Sequence, residues 1–356
     1  MTTAEEASNA LSKILDDGSQ KNVIELSWIK NVRVSIPRSI ITLALPAYAN
    51  AQRDRIVQEA REILLNFSDI DDVQIELDNT AANQGINNEN SPPPLQSIKG
   101  IKKIIAISSG KGGVGKSTIA VNLACSLAKL GSKTGLLDAD IYGPNTPSML
   151  GVSDENPKVQ GSGNEQRLIP VSKYGISLVS MGFLIEEGQP VIWRGPMLNS
   201  IIKQFLYQVE WNDLDYLVID LPPGTGDAQI SLAQSVPIAS AIVVTTPQKV
   251  SLQDARRGLA MFKQLNVPLL GVVENMSIFI PPDQPDKTYE IFGSGGGKLL
   301  ADENNLPLLA QIPIEMPVVT ESNAGIPISM SNPYASSSKK FQELASLIQE
   351  KFKIND

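Results

Sequence analysis

The stretch from Lys103 to Gly131 constrains this chain more than any other. An apolar run, KIIAIS, feeds into SGKGGVGKST, and the helical pattern IAVNLACSLAKLG follows at once. Gly110, Gly115, Lys116 and Ser117 complete the spacing G-x-x-x-x-G-K-[ST] of a phosphate-binding loop, with strand and helix on either side as such a loop requires. Backbone N–H groups from Gly110 to Gly115, through Gly112, Gly113 and Val114, can turn inward around phosphates because glycine imposes no Cβ. Lys116 is placed to neutralise phosphate charge and the Ser117 hydroxyl to ligate Mg²⁺. Ser117 and Thr118 open the helix, whose amino terminus adds partial positive charge. The nucleotide implied is ATP.

The loop also holds a second cation, Lys111, on its outer rim. Its amine would bend back onto its own loop's phosphates with difficulty, but it can reach those of a neighbour. A cation delivered in trans to a transferring phosphoryl group is worth roughly 10³ to 10⁵ in rate. Lys111 therefore suggests an ATPase completed when two subunits face each other; a solvated loop lysine is the other reading.

After the loop, KTGLLD, ISLVSM, DYLVID, AIVVTT, PLLGVVEN and PLLAQIP alternate with helical patterns. Continuous apolar strands separated by helices signal a mostly parallel α/β sheet covered on both faces, whose ligands sit beyond the strands' carboxyl ends. Carboxylates fall there. Asp220 ends one apolar strand and is expected to be the outer partner of Mg²⁺. Asp138 and Asp140 of LLDAD end another, beside the Gly- and Pro-containing IYGPNTPSM. Either could orient the attacking water, and Asp140, reaching further into the loop, is assigned that role. Asp138 and Asp227 also read as turn or helix-capping aspartates.

Composition narrows the chemistry. The 356 residues contain one cysteine, Cys125, and no histidine. An intrachain disulfide, imidazole base catalysis and any one-subunit site needing two protein nitrogen or sulfur ligands are excluded. A net charge of −8 with no Lys/Arg-rich run leaves no footprint for nucleic acid. The N-terminus, MTTAEEASNALSKILDD, is acidic, and no apolar run approaches the roughly 18 residues of a membrane span. The expectation is a cytoplasmic protein without a nucleic-acid or membrane partner.

Residues 79–100, rich in Asn, Gly and Pro, read as a linker. Before it, residues 1–78 pattern as a small α+β unit of order αββαβ, with Ile56, Ala60, Ile63, Leu64 and Phe67 on one helical face. Residues 101–356 form the ATPase domain.

SSGKGGVGKST, LLDADIYGPN, VIWRGPM, VIDLPPGTGD, VVENMS and FGSGGG, in this order, resemble the Mrp/ApbC family of P-loop ATPases. These are iron-sulfur cluster carriers related to MinD-type (SIMIBI) enzymes, and the N-terminal unit resembles the MIP18-type domain that precedes many of them. The resemblance implies a nucleotide-gated homodimer, with Lys111 as the deviant lysine that crosses its interface. It implies that Asn275 recognises adenine, that Pro313 lies against the ring and that Arg194 sits in a functional segment. Apoprotein clients or iron-sulfur assembly proteins would be its partners. This chain departs from the pattern where many relatives carry C-x-x-C: IFIPPDQPDKTYEIFG has no cysteine, nor has LPAYANAQ. Cys125, flanked by Leu123, Ala124 and Leu127, reads as a buried small hydrophobe, so no cluster ligand is identifiable. A MinD-like switch carrying no cluster is the alternative. Against a membrane-anchoring tail, the mixed-charge stripe of SSKKFQELASLIQEKFKIND reads as a helix packed on the domain.

Overall fold

The strand Arg38–Leu43 buries alternate residues, whereas the central strands of the larger sheet are buried almost without interruption. The computed structural model describes residues 2–16, 21–26, 28–43, 52–77, 97–141, 143–161, 166–184, 195–284 and 286–353. Two compact units, Met1–Pro94 and Leu95–Asp356, divide the chain.

In the first unit, α1 (Ala4–Ala10) opens with a capping box between Thr3 and Glu6. It is followed by β1 (Ile29–Ser35), β2 (Arg38–Leu43), α2 (Arg53–Leu65) and β3 (Asp72–Leu77). β1 and β2 form an antiparallel hairpin, and α2 carries the chain over to β3, which lies parallel to β2. Ile56, Ala60 and Leu64 of α2 are buried beneath Ile41 and Leu43, and Ile63 and Phe67 pack at the margin. Each Ile or Leu side chain among these, fully withdrawn from water, contributes about 1.5–3 kcal/mol.

The second unit is an eight-stranded sheet. Its strands are β4 (Ile101–Ser109), β5 (Thr134–Asp138), β8 (Val171–Lys173), β9 (Ile176–Ser180), β10 (Leu214–Asp220), β11 (Ser240–Thr245), β12 (Leu269–Phe279) and β13 (Leu308–Ile314). Their order is β13-β12-β11-β4-β10-β5-β9-β8, parallel throughout except for the edge strand β8. A separate hairpin of β6 (Lys158–Gln160) and β7 (Arg167–Ile169) completes the strands; neither it nor the antiparallel edge was anticipated.

Successive residues of the central strands point to opposite faces, and both faces are apolar. Ile104, Ala106, Leu217, Ile219, Ala241 and Val243 join one core. There they meet α5 (Gly195–Tyr207), α6 (Asp227–Ser235), α7 (Lys249–Gln264) and α8 (Gly296–Glu303). Ile105, Ile107, Tyr216, Val218, Ile242 and Val244 join the other. There they meet α3 (Lys116–Lys129) and α11 (Ser336–Phe352). Two short helices, α4 (Thr146–Met149) and α10 (Ile328–Ser331), and α9 (Met316–Asn323) link these layers. α11 buries Phe341, Leu344, Ala345 and Ile348 completely, as its stripe led us to expect. Among the described residues no helix is long and apolar enough to cross a membrane.

Residues 97–100, expected in the linker, belong to the large unit. Ile98 is buried in its core, and Gly100 adopts φ +85° so close to Asn212 that a Cβ would lie 2.3 Å from the Asn212 carbonyl oxygen. The rest of the expected linker, residues 79–96, lies outside the described residues, as do Arg194 and residues 45–51 of LPAYANAQ.

Candidate nucleotide site

The loop spans the gap between β4, which ends at Ser109, and α3, which begins at Lys116. Three of its features require glycine for different reasons. A Cβ on Gly110 would fall 2.1 Å from the backbone carbon of Asp254 in α7, so this glycine lets the loop lie directly on a helix. Gly113 and Gly115 take φ +77° and +81°, a left-handed conformation that side chains resist. Gly115 is further crowded by Asn275, whose Nδ2 donates to the Val114 carbonyl at 2.9 Å. That buried bond ties β12 to the crest of the loop. Pro313 is buried on β13, next to Ile312, which stands opposite Asn275 in the β12–β13 register.

Lys116 is only 5% exposed and lies between two carboxylates. Its Nζ stands 2.6 Å from Asp220 Oδ1 and 3.3 Å from Asp140 Oδ2. Parallel pairing brings them there: Asp220 is in register with Ile107 of β4 on one side and with Asp138 of β5 on the other. Burial raises the Asp220 pKa, opposed by the Lys116 charge and by hydrogen bonds from Lys116 and Ser117. Asp220 Oδ2 is buried and accepts no hydrogen bond among the described residues. A carboxylate oxygen in that state has capacity for a water held on a divalent cation, so the pairing of Ser117 with Asp220 fits Mg²⁺.

Asp138 is fully buried, and burial followed by the Asp220 charge pushes its pKa up to about 7. Asp140 is also buried and accepts from the Gly143 N–H at 3.3 Å. Lys111 is half-buried, its carbonyl accepts from the Ser109 hydroxyl at 2.9 Å, and it forms no ion pair among the described residues. Thus Lys116, Asp140, Asp220, Ser117 and, through the loop crest, Asn275 converge, whereas Asp227 starts α6 and Cys125 lies within α3.

Sequence reasoning overlooked four contributors. Asp254 supplies the backbone against which Gly110 packs, and Gln229 of α6 hydrogen-bonds Ser108 at the foot of the loop. Thr146 and Ser180 both donate to Asp138. These residues have no local motif: Ser180 arrives by strand register and Asp254, Gln229 and Thr146 by helix packing, although a polar residue at the end of an apolar strand, as Ser180 is, was a usable signal.

Cys125 is wholly buried on α3, and burial pushes its thiol pKa up to about 12. Among the described residues no group of three or more His, Cys, Asp or Glu side chains could hold a metal ion. The donors present therefore do not fit a thiolate-bound iron-sulfur cluster. A thiol that burial holds in its neutral form is a poor nucleophile, so maleimide should leave native Cys125 unlabelled over hours and label it at once in denaturant. Rapid labelling of the native chain would refute the burial.

A model of the ParA group, described as the NUBPL iron-transfer P-loop NTPase, matches residues 100–349. The chain belongs to this family. A Synechocystis protein named iron-sulfur cluster carrier protein is 49% identical over 351 residues, covering 99% of this chain and 98% of its own length. The mouse iron-sulfur cluster transfer protein NUBPL is 44% identical over 263 residues, 73% of this chain and 81% of its own. Among solved structures, an Archaeoglobus fulgidus nucleotide-binding protein in complex with ADP superposes with a TM-score of 0.56 at 36% identity. That alignment covers 64% of this chain and 88% of the other. The Pyrococcus furiosus cell division ATPase MinD, at 23% identity and a TM-score of 0.52, covers 70% of this chain and 99% of its own, and shares the fold. The matched segment includes the loop at 110–118 with its complete G-x-x-x-x-G-K-[ST] spacing.

Proposed function

We propose that this NUBPL-family protein is a cytoplasmic ATP-hydrolysing carrier or assembly factor for iron-sulfur clusters, working as a nucleotide-gated homodimer with apoproteins or assembly proteins as clients. The observation that carries the reading is the buried Lys116 held between Asp220 and Asp140 at the mouth of a complete phosphate loop. Backbone amides from Gly110 to Thr118 bind the phosphates, and Lys116 exchanges its carboxylate partners for them. Asn275 and Pro313 border the base. Ser117 and, through water, Asp220 would hold Mg²⁺, which supplies charge neutralisation on the phosphates when bound. Asp140 orients the attacking water, and Lys111 reaches the partner's nucleotide.

The cluster is cargo here, and its ligands come from outside the chain, since the only thiol is enclosed in α3. Anaerobic incubation with ferrous iron and sulfide, then desalting, should leave far less than one iron per dimer. Stoichiometric iron and sulfide lost on Cys125→Ala would reverse this. The same deficit favours a second reading, a MinD-like switch that carries no cluster; iron transfer measured between a thiol-bearing donor and acceptor, with and without this protein and ATP, separates the two.

The dimer reading has a direct test. Asp140→Asn should bind ATP but hydrolyse it at least about tenfold more slowly, so ATP-loaded protein should accumulate at twice the monomer mass in light scattering. A monomer saturated with ATP would exclude the gated dimer, and an unchanged rate would move the water-orienting role to Asp138.

A further inference from the structure

Asp138 is adjacent to the reacting groups but hydrogen-bonds elsewhere. Its Oδ1 accepts from the Asp140 N–H at 3.1 Å. Its Oδ2 accepts from the Thr146 hydroxyl at 2.8 Å, the Thr146 N–H at 3.3 Å and the Ser180 hydroxyl at 2.9 Å. One buried carboxylate therefore holds the residue whose own carboxylate faces Lys116 and, through its other oxygen, the first residue of α4.

Ser180 is the register partner of Asp138 on β9, so a strand of the main sheet fixes the plane of the carboxylate from outside the loop. The Ser180 oxygen in turn accepts from the Gly182 N–H at 2.9 Å. Gly182 lies against the same loop, for a Cβ there would stand 3.1 Å from the Pro144 carbonyl oxygen and 3.3 Å from Pro147 Cγ. Thr146 and Ser180 are both fully buried, leaving no water to replace a missing hydroxyl. Removing either one deprives a buried carboxylate oxygen of a donor. The Asp138 side chain then turns, and the amide of Asp140 loses its anchor.

We propose that Thr146 and Ser180 are positioning residues for hydrolysis: through Asp138 they fix the backbone of Asp140, and so the placement of its carboxylate beside Lys116. The claim rests on the reading of this site as an ATPase that uses Asp140. Neither residue touches the phosphate loop in the structure's hydrogen bonds, so their effect belongs in turnover and not in affinity. A displacement near 1 Å at a reacting group costs up to about 10²-fold in rate.

The test compares Thr146→Val, which keeps the shape and removes the hydroxyl, with Thr146→Ser, which keeps the hydroxyl, and adds Ser180→Ala. ATP turnover and ADP affinity are measured on the full chain beside the wild type. Thr146→Val and Ser180→Ala should each lower kcat about tenfold, equivalent to about 1.4 kcal/mol, with KM and ADP affinity within about twofold of wild type. Thr146→Ser should keep kcat within about twofold. Wild-type turnover in both Thr146→Val and Ser180→Ala overturns the proposal. So does a Thr146→Ser variant as slow as Thr146→Val, or a loss of ADP affinity parallel to the loss of kcat. A wild type that binds ATP but never hydrolyses it overturns the ATPase reading itself, an outcome distinct from all of these.

Discussion

Lys116→Ala is expected to abolish nucleotide binding, lowering affinity for ADP and ATP by two orders of magnitude or more in calorimetric titration. The size follows from burial: the ammonium is 5% exposed and would meet the phosphates with little competing water. The substitution also acts on the protein alone. It leaves Asp220, fully buried, without the cation that holds its pKa down. Removing one member of a buried pair costs about 3–5 kcal/mol when the survivor stays charged, but Asp220 escapes part of this by taking a proton. Its folded pKa, already raised above the ordinary aspartate value by burial, rises further in the variant. A group with a raised folded pKa gives its full stability below the unfolded pKa and loses it as pH rises through the folded one. The melting-temperature deficit of Lys116→Ala should therefore be smallest near the unfolded aspartate pKa of about 4 and widen as pH rises above it. An ADP affinity within threefold of wild type would remove Lys116 from the site, and a deficit that shrinks with pH would contradict the burial of Asp220.

That pairing was half legible in the sequence. Lys116 was evident because β4, the loop and α3 are contiguous, and contiguous segments display their periodicity and their glycines together. Asp220 and Asp138 were evident because an aspartate ending a run of Val, Ile and Leu contradicts the burial of its neighbours and so demands a reason. Cys125 was evident from Leu123 and Leu127 around it. What stayed hidden depends on register between strands far apart in the chain. The Asn275 amide meets the carbonyl of Val114, 161 residues away, and Ser180 meets Asp138, 42 residues away. No local propensity encodes either contact. The motif marks the glycine at 110, but the helix backbone that requires it, at Asp254, could not be inferred from the motif. The edge strand β8 and the β6–β7 hairpin were missed because three-residue strands are too short to show a period.

Lys111→Ala should separate binding from turnover. The backbone at Lys111 is held by the Ser109 hydroxyl, and its side chain forms no ion pair among the described residues, so its loss leaves the loop's shape and the Lys116 contacts in place. ADP affinity should stay within about threefold of wild type, while kcat falls roughly 10³-fold, the scale of a cation supplied across an interface. Such a fall alone would not say which subunit's nucleotide Lys111 serves. Mixing Lys111→Ala with Asp140→Asn does. If the lysine acts across the interface, a hybrid dimer contains one site with an intact Asp140 from one chain and an intact Lys111 from the other, and a second site lacking both. Random pairing in a twofold dimer makes about a quarter of all sites complete, so two nearly inactive preparations should combine to about a quarter of wild-type turnover. A lysine serving its own nucleotide gives no recovery at any ratio, because every site then lacks one of the two groups. Recovery that tracks the fraction of hybrid dimers, measured by titrating one variant into the other at constant total protein, would place the amine of residue 111 in the opposite active centre. A flat titration would confine each site to a single chain, with Lys111 serving the nucleotide of its own loop, whereas wild-type turnover in Lys111→Ala itself would leave Lys111 a solvated loop cation.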